Sequence, residues 1–125
     1  MLGRGIRAYE QTIRTTISGR ELDASVLTKA ARLLRDCEEL WGQEGHDRRL
    51  DGALTFNRKI WSIFQDQLAR NDNPLPIEIR KNILQLSLFI DKRMIQVMAH
   101  PEPNKLKIMI DINLNLAAGL RGSPA

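Results

Sequence analysis

The chain of 125 residues has one cysteine, two histidines and an aromatic fraction of only 5%. The single cysteine, Cys37, excludes a disulfide bond within the chain and is typical of a reducing compartment. No stretch of sequence approaches the roughly 20 consecutive apolar residues that a membrane-spanning helix needs. We therefore expect a soluble, cytoplasmic protein that does not cross a membrane.

Residues suited to catalysis or metal binding are equally scarce. The sequence contains no glycine-rich phosphate loop, no paired cysteines and no His-x-x-x-His pattern. Cys37 falls on the apolar stripe of a predicted helix, which favours a buried, inert thiol over a nucleophile. His46 and His100 lie next to glycine and proline, at positions typical of helix ends. We expect a protein that is not an enzyme and has no metal site and no cofactor.

Charge gives little indication of nucleic-acid binding. The formal net charge is +4, from 19 Lys and Arg against 15 Asp and Glu, and no long block carries one sign. A nucleic-acid-binding domain usually concentrates its cations on one face, close to stacking aromatic side chains. Direct contact with nucleic acid is therefore not expected. An RNA-binding regulator stays open as an alternative, with one candidate region, the basic N-terminal segment that carries Arg4, Arg7, Arg14 and Arg20.

Apolar spacing predicts a helix in that N-terminal segment. Ile6, Tyr9, Ile13 and Ile17 recur every three or four residues, which marks one face of a helix over residues 1–17. This basic helix either belongs to the mature fold or docks when a partner arrives. A transit peptide has a similar composition, but we favour the helix.

Glycine, proline and capping residues divide the remainder into four helices. The Ser18–Glu21 sequence has the form of a capping box and opens the second helix, which Gly42 and Gly45 end. Asp47 is the predicted cap of the third helix. The segment 71–76, with two prolines, breaks the chain before a fourth helix that runs from about Pro76 to Met98.

The fourth and last helices carry more apolar surface than one core needs. Leu84, Leu88 and Ile95 form a second apolar stripe on the fourth helix, on nearly the opposite side from its main stripe. Within residues 104–117, the eleven residues from Leu106 to Leu116 alternate apolar and mostly polar side chains, as a half-buried strand does, and a strand added to a partner's sheet stays open. A helix is favoured because eleven residues is long for a strand and no second strand is available to pair with it.

These patterns predict an all-α fold, a single-domain bundle of about five helices over residues 1–125, with a disordered tail at 121–125. Asn57 and Asn113 fall at the centres of the apolar arcs of their helices. An amide buried without partners costs about 1–3 kcal/mol. We therefore expect each to have a specific partner, such as a loop carbonyl near the segment 71–76, and to fix helix register. A polar contact to a bound peptide is the alternative.

Four sequence segments form a recognisable pattern when taken in order: Arg7-Ala-Tyr-Glu10, Ala53-Leu-Thr-Phe-Asn-Arg-Lys-Ile-Trp61, Asn73-Pro-Leu-Pro-Ile-Glu-Ile-Arg80 and Ile110-Asp-Ile-Asn-Leu-Asn-Leu-Ala-Ala-Gly-Leu120. Together they resemble the FlaF family of alphaproteobacterial flagellar biosynthesis regulators. The resemblance spans nearly the whole chain, and the order of the segments is more specific than any one of them. Leu114 stands where the family pattern has a charged residue.

The resemblance implies a cytoplasmic regulator of flagellin production and export that cooperates with an FlbT-type regulator of flagellin messenger RNA. It also implies a flagellin secretion chaperone, which would shelter the helical terminal segments of flagellin. A non-catalytic adaptor between other flagellar proteins, or a homo-oligomer, stays possible. The apolar side chains predicted to contact a partner are Ile6, Tyr9, Ile13, Leu84, Leu88, Ile95, Ile108 and Ile112.

Overall fold

The structure, a computed structural model, describes residues 19–122 and has α-helices as its main elements. Four helices follow one another, α1 over Gly19–Glu39, α2 over His46–Leu68, α3 over Ile77–Ala99 and α4 over Lys107–Leu120, with a 3₁₀ turn at Pro103–Lys105 before α4. The all-α prediction is confirmed, with four helices in the described part instead of about five. The predicted helix over residues 1–17 lies outside the described residues, as does most of the tail, residues 123–125.

The turn between α1 and α2 depends on two glycines with left-handed backbone angles. Gly42 has φ of 76° and Gly45 has φ of 81°, a region that is costly for residues with a Cβ atom. Gly45 is also the residue that caps α2, and no side chain bonds to the free amides there. The prediction that Asp47 caps this helix is therefore wrong. Asp47 lies in the first turn, where its charge favours the positive end of the helix dipole.

Replacing Gly45 with alanine is expected to lower the free energy of unfolding by about 1 kcal/mol, because alanine is strained at this backbone angle. The matched control is Gly52→Ala in the exposed middle of α2, where an added Cβ atom has open space around it. That change should stabilise the protein by about 0.5–1 kcal/mol, through helix propensity. Urea unfolding of both variants measures the difference, and equal shifts would contradict this account of the turn.

The segment before α3 breaks the chain as the prolines predict. Pro76 is the residue before the first turn of α3, with extended backbone angles, and Ile77 begins the helix. The carbonyl of Pro76 accepts the hydrogen bond of the Arg80 amide at 3.0 Å. The predicted range for this helix, from about Pro76 to Met98, is thus correct to within one residue at each end.

The ambiguous last segment is helical. Residues 107–120 form α4, and its buried side chains Met109, Ile110, Asn113 and Ala117 follow helical spacing. The strand alternative for residues 104–117 is therefore wrong. The alternation of apolar residues that suggested a strand arises because α4 is apolar on more than half of its circumference, with Ile112, Leu114 and Leu116 packed against the core as well.

The core lies between α1, α2 and α4, and α1 packs more extensively against α4 than against α2. The fully buried side chains Ala24, Leu27, Ala30 and Leu34 line the inner face of α1. The end of α4 lies beside the start of α1, where Arg121 forms an ion pair of 3.2 Å with Glu21. Helix α3 packs chiefly on α2 and has little contact with α4. The bundle is consequently closed on the α1 side and more open along α3.

No helix within residues 19–122 is long and apolar enough to cross a lipid bilayer.

Candidate partner-binding groove

A groove of about 780 Å³ opens at the end of the bundle where α1 begins and α4 ends. Its walls come from the start of α1, the end of α2, the turn before α3, the start of α3 and the end of α4. The apolar residues that line it are Phe64, Leu68, Leu75, Ile83, Leu116 and Leu120. We call this feature the end groove. Its apolar lining and its open mouth suit the insertion of a helix or an extended peptide.

Helices α3 and α4 have little direct contact with each other. Away from the end groove, Arg93 of α3 donates a hydrogen bond to the carbonyl of Lys105, in the 3₁₀ turn before α4, at 3.4 Å. Met94 of α3 and Met109 of α4 both contact the amide of Asn57. At the end groove, Ile83 of α3 and Leu116 of α4 face the same open space. The limited contact between these two helices therefore leaves apolar side chains that no described residue covers completely.

One wall of the end groove is a turn that its own side chains hold. Asn73 donates from Nδ2 to the carbonyl of Gln67 at 3.0 Å and accepts the amide hydrogen bond of Leu75 at 2.9 Å. The second bond closes an Asx turn, a local motif that asparagine favours. It positions Leu75 over the core, against which this side chain packs. The wall is therefore fixed before any partner binds.

The rim of the end groove carries charges of both signs. Arg20 and Arg70 supply positive charge, while Asp23 and Asp72 supply negative charge. A mixed rim gives an amphipathic partner polar contacts at the edge and apolar contacts inside. Rim charges of this kind influence the rate and orientation of association more than its affinity.

Behind the end groove, a buried network of polar side chains joins α2 to α4. Asn57 and Asn113 are both fully buried. Asn113 donates from Nδ2 to Asn57 Oδ1 at 2.8 Å, and its own Oδ1 accepts the indole N–H of Trp61 at 2.9 Å. Asn57 Nδ2 completes the set with weaker bonds to the sulfur atoms of Met94 and Met109, at 3.5 and 3.9 Å. The two amides are therefore satisfied inside the core.

Both asparagines are buried and have specific partners, as predicted, but the suggested partner, a loop carbonyl near residues 71–76, was wrong. Each asparagine bonds to the other across α2 and α4, whereas the loop near residues 71–76 takes no part in the network. The bonds of 2.8 and 2.9 Å join side chains of α2 to Asn113 of α4 across the core. The role of the pair in fixing helix register stays a prediction, which stability measurements test below.

The predicted partner-contacting residues do not gather at one place. Leu84, Leu88 and Ile95 share one flank of α3, where Leu88 and Ile95 are exposed and Leu84 packs partly against the core. On α4, Ile108 is exposed, whereas Ile112 packs against the core. Ile6, Tyr9 and Ile13 lie outside the described residues. None of those that the structure describes lines the end groove.

Sequence reasoning missed the end groove because its lining comes from five separate segments. Residues such as Phe64, Leu68 and Ile83 fall on apolar stripes and look like ordinary core positions. The one available signal was the pattern around residues 71–76, since two prolines force the chain away from α2 before α3 begins. That pattern indicates a turn but not the space beside it.

The side chains of Cys37 and His46 contact other residues of the fold, and His100 lies at the end of α3. Cys37 is buried, and its thiol donates to the carbonyl of Arg49 at 3.4 Å. Burial raises the pKa of this thiol above its ordinary value of 9.0. The positive charge of Arg49 opposes the shift, and the negative charge of Asp36 adds to it.

His46 begins α2, contacts the Trp41 ring edge-on and accepts the amide hydrogen bond of Gly42. His100 follows the last residue of α3. Within residues 19–122, no group of three or more His, Cys, Asp or Glu side chains is placed to hold a metal ion.

The fold and the end groove together define a small all-α protein with an apolar cleft at one end of its helical bundle. A family model described as flagellar protein FlaF matches residues 6–120. The chain therefore belongs to the FlaF family of flagellar proteins, as the four sequence segments predicted. Comparisons with curated proteins and with solved structures gave no match.

Proposed function

We propose that this protein is a non-catalytic, cytoplasmic flagellin chaperone and regulator that binds a helical terminal segment of flagellin in the end groove. The observation that carries the proposal is the open, apolar groove of about 780 Å³ in a member of a flagellar protein family. An amphipathic helix that inserts its apolar side chains there would bury them against Phe64, Leu68 and Leu120. Burial of apolar surface would supply the affinity, at about 25 cal/mol for each Å² removed from water.

The regulatory part of the proposal is competition between two partners. Bound flagellin would be kept from polymerising before export, because its terminal segments would be covered. The more flagellin is bound, the more of an FlbT-type regulator of flagellin messenger RNA would be released from this protein. The mixed rim of Arg20, Asp23, Arg70 and Asp72 would orient either partner at the mouth of the groove.

The test is calorimetric titration of the full chain with flagellin, in the presence and absence of the FlbT-type protein. Leu120→Glu places a carboxylate on the half-buried lining of the groove. We expect it to weaken binding by at least about tenfold, because burying an unpaired charge against apolar side chains is costly. The matched control is Leu86→Glu on α3, at an exposed leucine that does not line the groove. It should bind flagellin as the natural chain does.

Two results would contradict the proposal. Absence of flagellin binding by the natural chain, with and without the FlbT-type protein, rejects the chaperone function. Equal loss of binding in Leu120→Glu and Leu86→Glu, with both variants folded by circular dichroism, rejects the end groove as the site. Flagellin that lacks its terminal segments should give no heat of binding.

A further inference from the structure

Helix α3 carries two seams with heptad spacing, one buried in the described bundle and one largely exposed. The inner seam consists of Ile83, Ser87, Ile90, Met94 and Val97, all of which are buried. Their spacing alternates between four and three residues, which is the heptad spacing of a coiled coil. The inner seam packs against the rest of the bundle.

The outer seam has the same heptad spacing, one residue further along. It consists of Ile77, Lys81, Leu84, Leu88, Asp91, Ile95 and Met98. Five of the seven side chains are apolar, and four of these are strongly exposed, with Ile77 56%, Leu88 68%, Ile95 62% and Met98 60% accessible. Exposed apolar residues scattered singly are common on proteins. Four of them at heptad positions along one helix form a stripe that a second helix can cover.

The outer seam is complementary to itself when two copies run antiparallel. If Leu84 of one copy lies opposite Leu88 of the other, the same register places Ile77 opposite Ile95. It also places Lys81 opposite Asp91, so the only two charged positions of the seam face each other with opposite signs. Each of these three facing pairs then occurs twice, once on either side of a two-fold axis, as an isologous contact between identical chains requires. A parallel pairing would instead face Lys81 with Lys81 and Asp91 with Asp91.

We propose that the protein forms a two-fold symmetric homodimer through the outer seams of two antiparallel α3 helices. The occupant of this surface is thus a second copy of the chain, and the interface is separate from the end groove. Asp91 already accepts a hydrogen bond from Gln65 of α2 at 3.0 Å through Oδ2. That bond holds the carboxylate in a defined position, in which Oδ1 receives Lys81 of the second copy. The two Lys81–Asp91 pairs set orientation and register, while the leucine and isoleucine layers supply most of the affinity.

Sedimentation equilibrium of the full chain tests the dimer. We expect a concentration-dependent equilibrium between monomer and dimer for the natural chain. Ile95→Glu should raise the dissociation constant at least about tenfold, because it places one carboxylate in each of two apolar layers. The matched control is Ile63→Glu, the same substitution at an exposed isoleucine of α2 that lies outside the outer seam. It should leave the dissociation constant unchanged.

Disulfide trapping tests the orientation. In the antiparallel register, an Ile77→Cys chain mixed with an Ile95→Cys chain should form a cross-linked dimer under mild oxidation, because these positions face each other. The Ile95→Cys chain alone should not, since its two copies of position 95 would lie about 27 Å apart, eighteen residues along a helix at about 1.5 Å each. The natural Cys37 is buried and should not contribute.

A second test uses the charges. Lys81→Glu should weaken the dimer through repulsion from Asp91, and the double change Lys81→Glu with Asp91→Lys should restore it. A monomeric natural chain at all concentrations overturns the proposal, and so does an Ile95→Glu variant that dimerises normally. Cross-linking of Ile95→Cys with itself overturns the antiparallel register. A monomer that loses flagellin binding on Ile95→Glu would assign the outer seam to flagellin and also overturn the proposal.

Discussion

Asn113→Ala is expected to lower the free energy of unfolding by about 2–6 kcal/mol. The substitution leaves the indole N–H of Trp61 and Oδ1 of Asn57 without their hydrogen-bond partners at a position closed to water. Each buried polar group left unsatisfied costs about 1–3 kcal/mol. Small domains have a total stability of about 5–15 kcal/mol, so the loss is a large fraction of what holds the fold. Urea unfolding followed by circular dichroism measures it.

The matched control for this prediction is Asn115→Ala, two residues along the same helix. Asn115 is exposed, so its replacement should change the free energy of unfolding by less than about 0.5 kcal/mol. An Asn113→Ala variant that is already unfolded at 25 °C, beside a folded Asn115→Ala variant, also agrees with the expectation. Similar unfolding midpoints for the two variants would show that the buried network contributes little.

Trp61→Ala is expected to lower the free energy of unfolding more than Asn113→Ala or any other single substitution described above. Trp61 is fully buried, packs edge-on against Phe64 with ring centroids 5.8 Å apart, and donates to Asn113. Removing a buried aromatic side chain costs about 3–5 kcal/mol through lost contacts and the cavity left behind. The unsatisfied oxygen of Asn113 adds about 1–3 kcal/mol to that cost. Thermal unfolding and urea unfolding should both show a severely weakened or unfolded chain.

Two further variants separate the contributions of volume and hydrogen bonding. Trp61→Phe keeps most of the ring but removes the N–H donor, so it should cost about 1–3 kcal/mol. Trp41→Ala removes the same side chain from the half-buried turn between α1 and α2, where it contacts His46. Its effect should be clearly smaller than that of Trp61→Ala. Equal losses at the two tryptophans would contradict the central position that the structure gives Trp61.

The helix boundaries follow from local chemistry and were therefore predictable. Gly42 and Gly45 end α1, and the prolines at 74 and 76 separate α2 from α3, because these residues act through their own backbone angles. The cap of α2 was mispredicted since Asp47 is a common capping residue, while Gly45 fulfils that position through its left-handed backbone. Ile63 lies close in sequence to the buried residues Ile60 and Phe64 of α2 but is itself exposed.

Tertiary arrangement was harder to predict from sequence. Helical spacing places Asn57 and Asn113 among apolar residues, which indicates that they need partners. Their pairing with each other depends on how α2 and α4 cross, and no local pattern encodes that crossing. The end groove was missed for the same reason, since Leu75, Ile83 and Leu116 become neighbours only after the helices pack. The outer seam of α3 was partly visible, because Leu84, Leu88 and Ile95 already stood out as a second apolar stripe.

The contact between α1 and α4 has a consequence for synthesis on the ribosome. Because a chain is synthesised from its N-terminus, α1, α2 and α3 are made before the helix that α1 packs against most extensively. Until α4 follows, Trp61 and Asn57 have no amide to bond, and the end groove lacks the wall formed by Leu116 and Leu120. A chain in which α4 has not yet been made therefore lacks both the buried hydrogen bonds to Asn113 and one wall of the end groove.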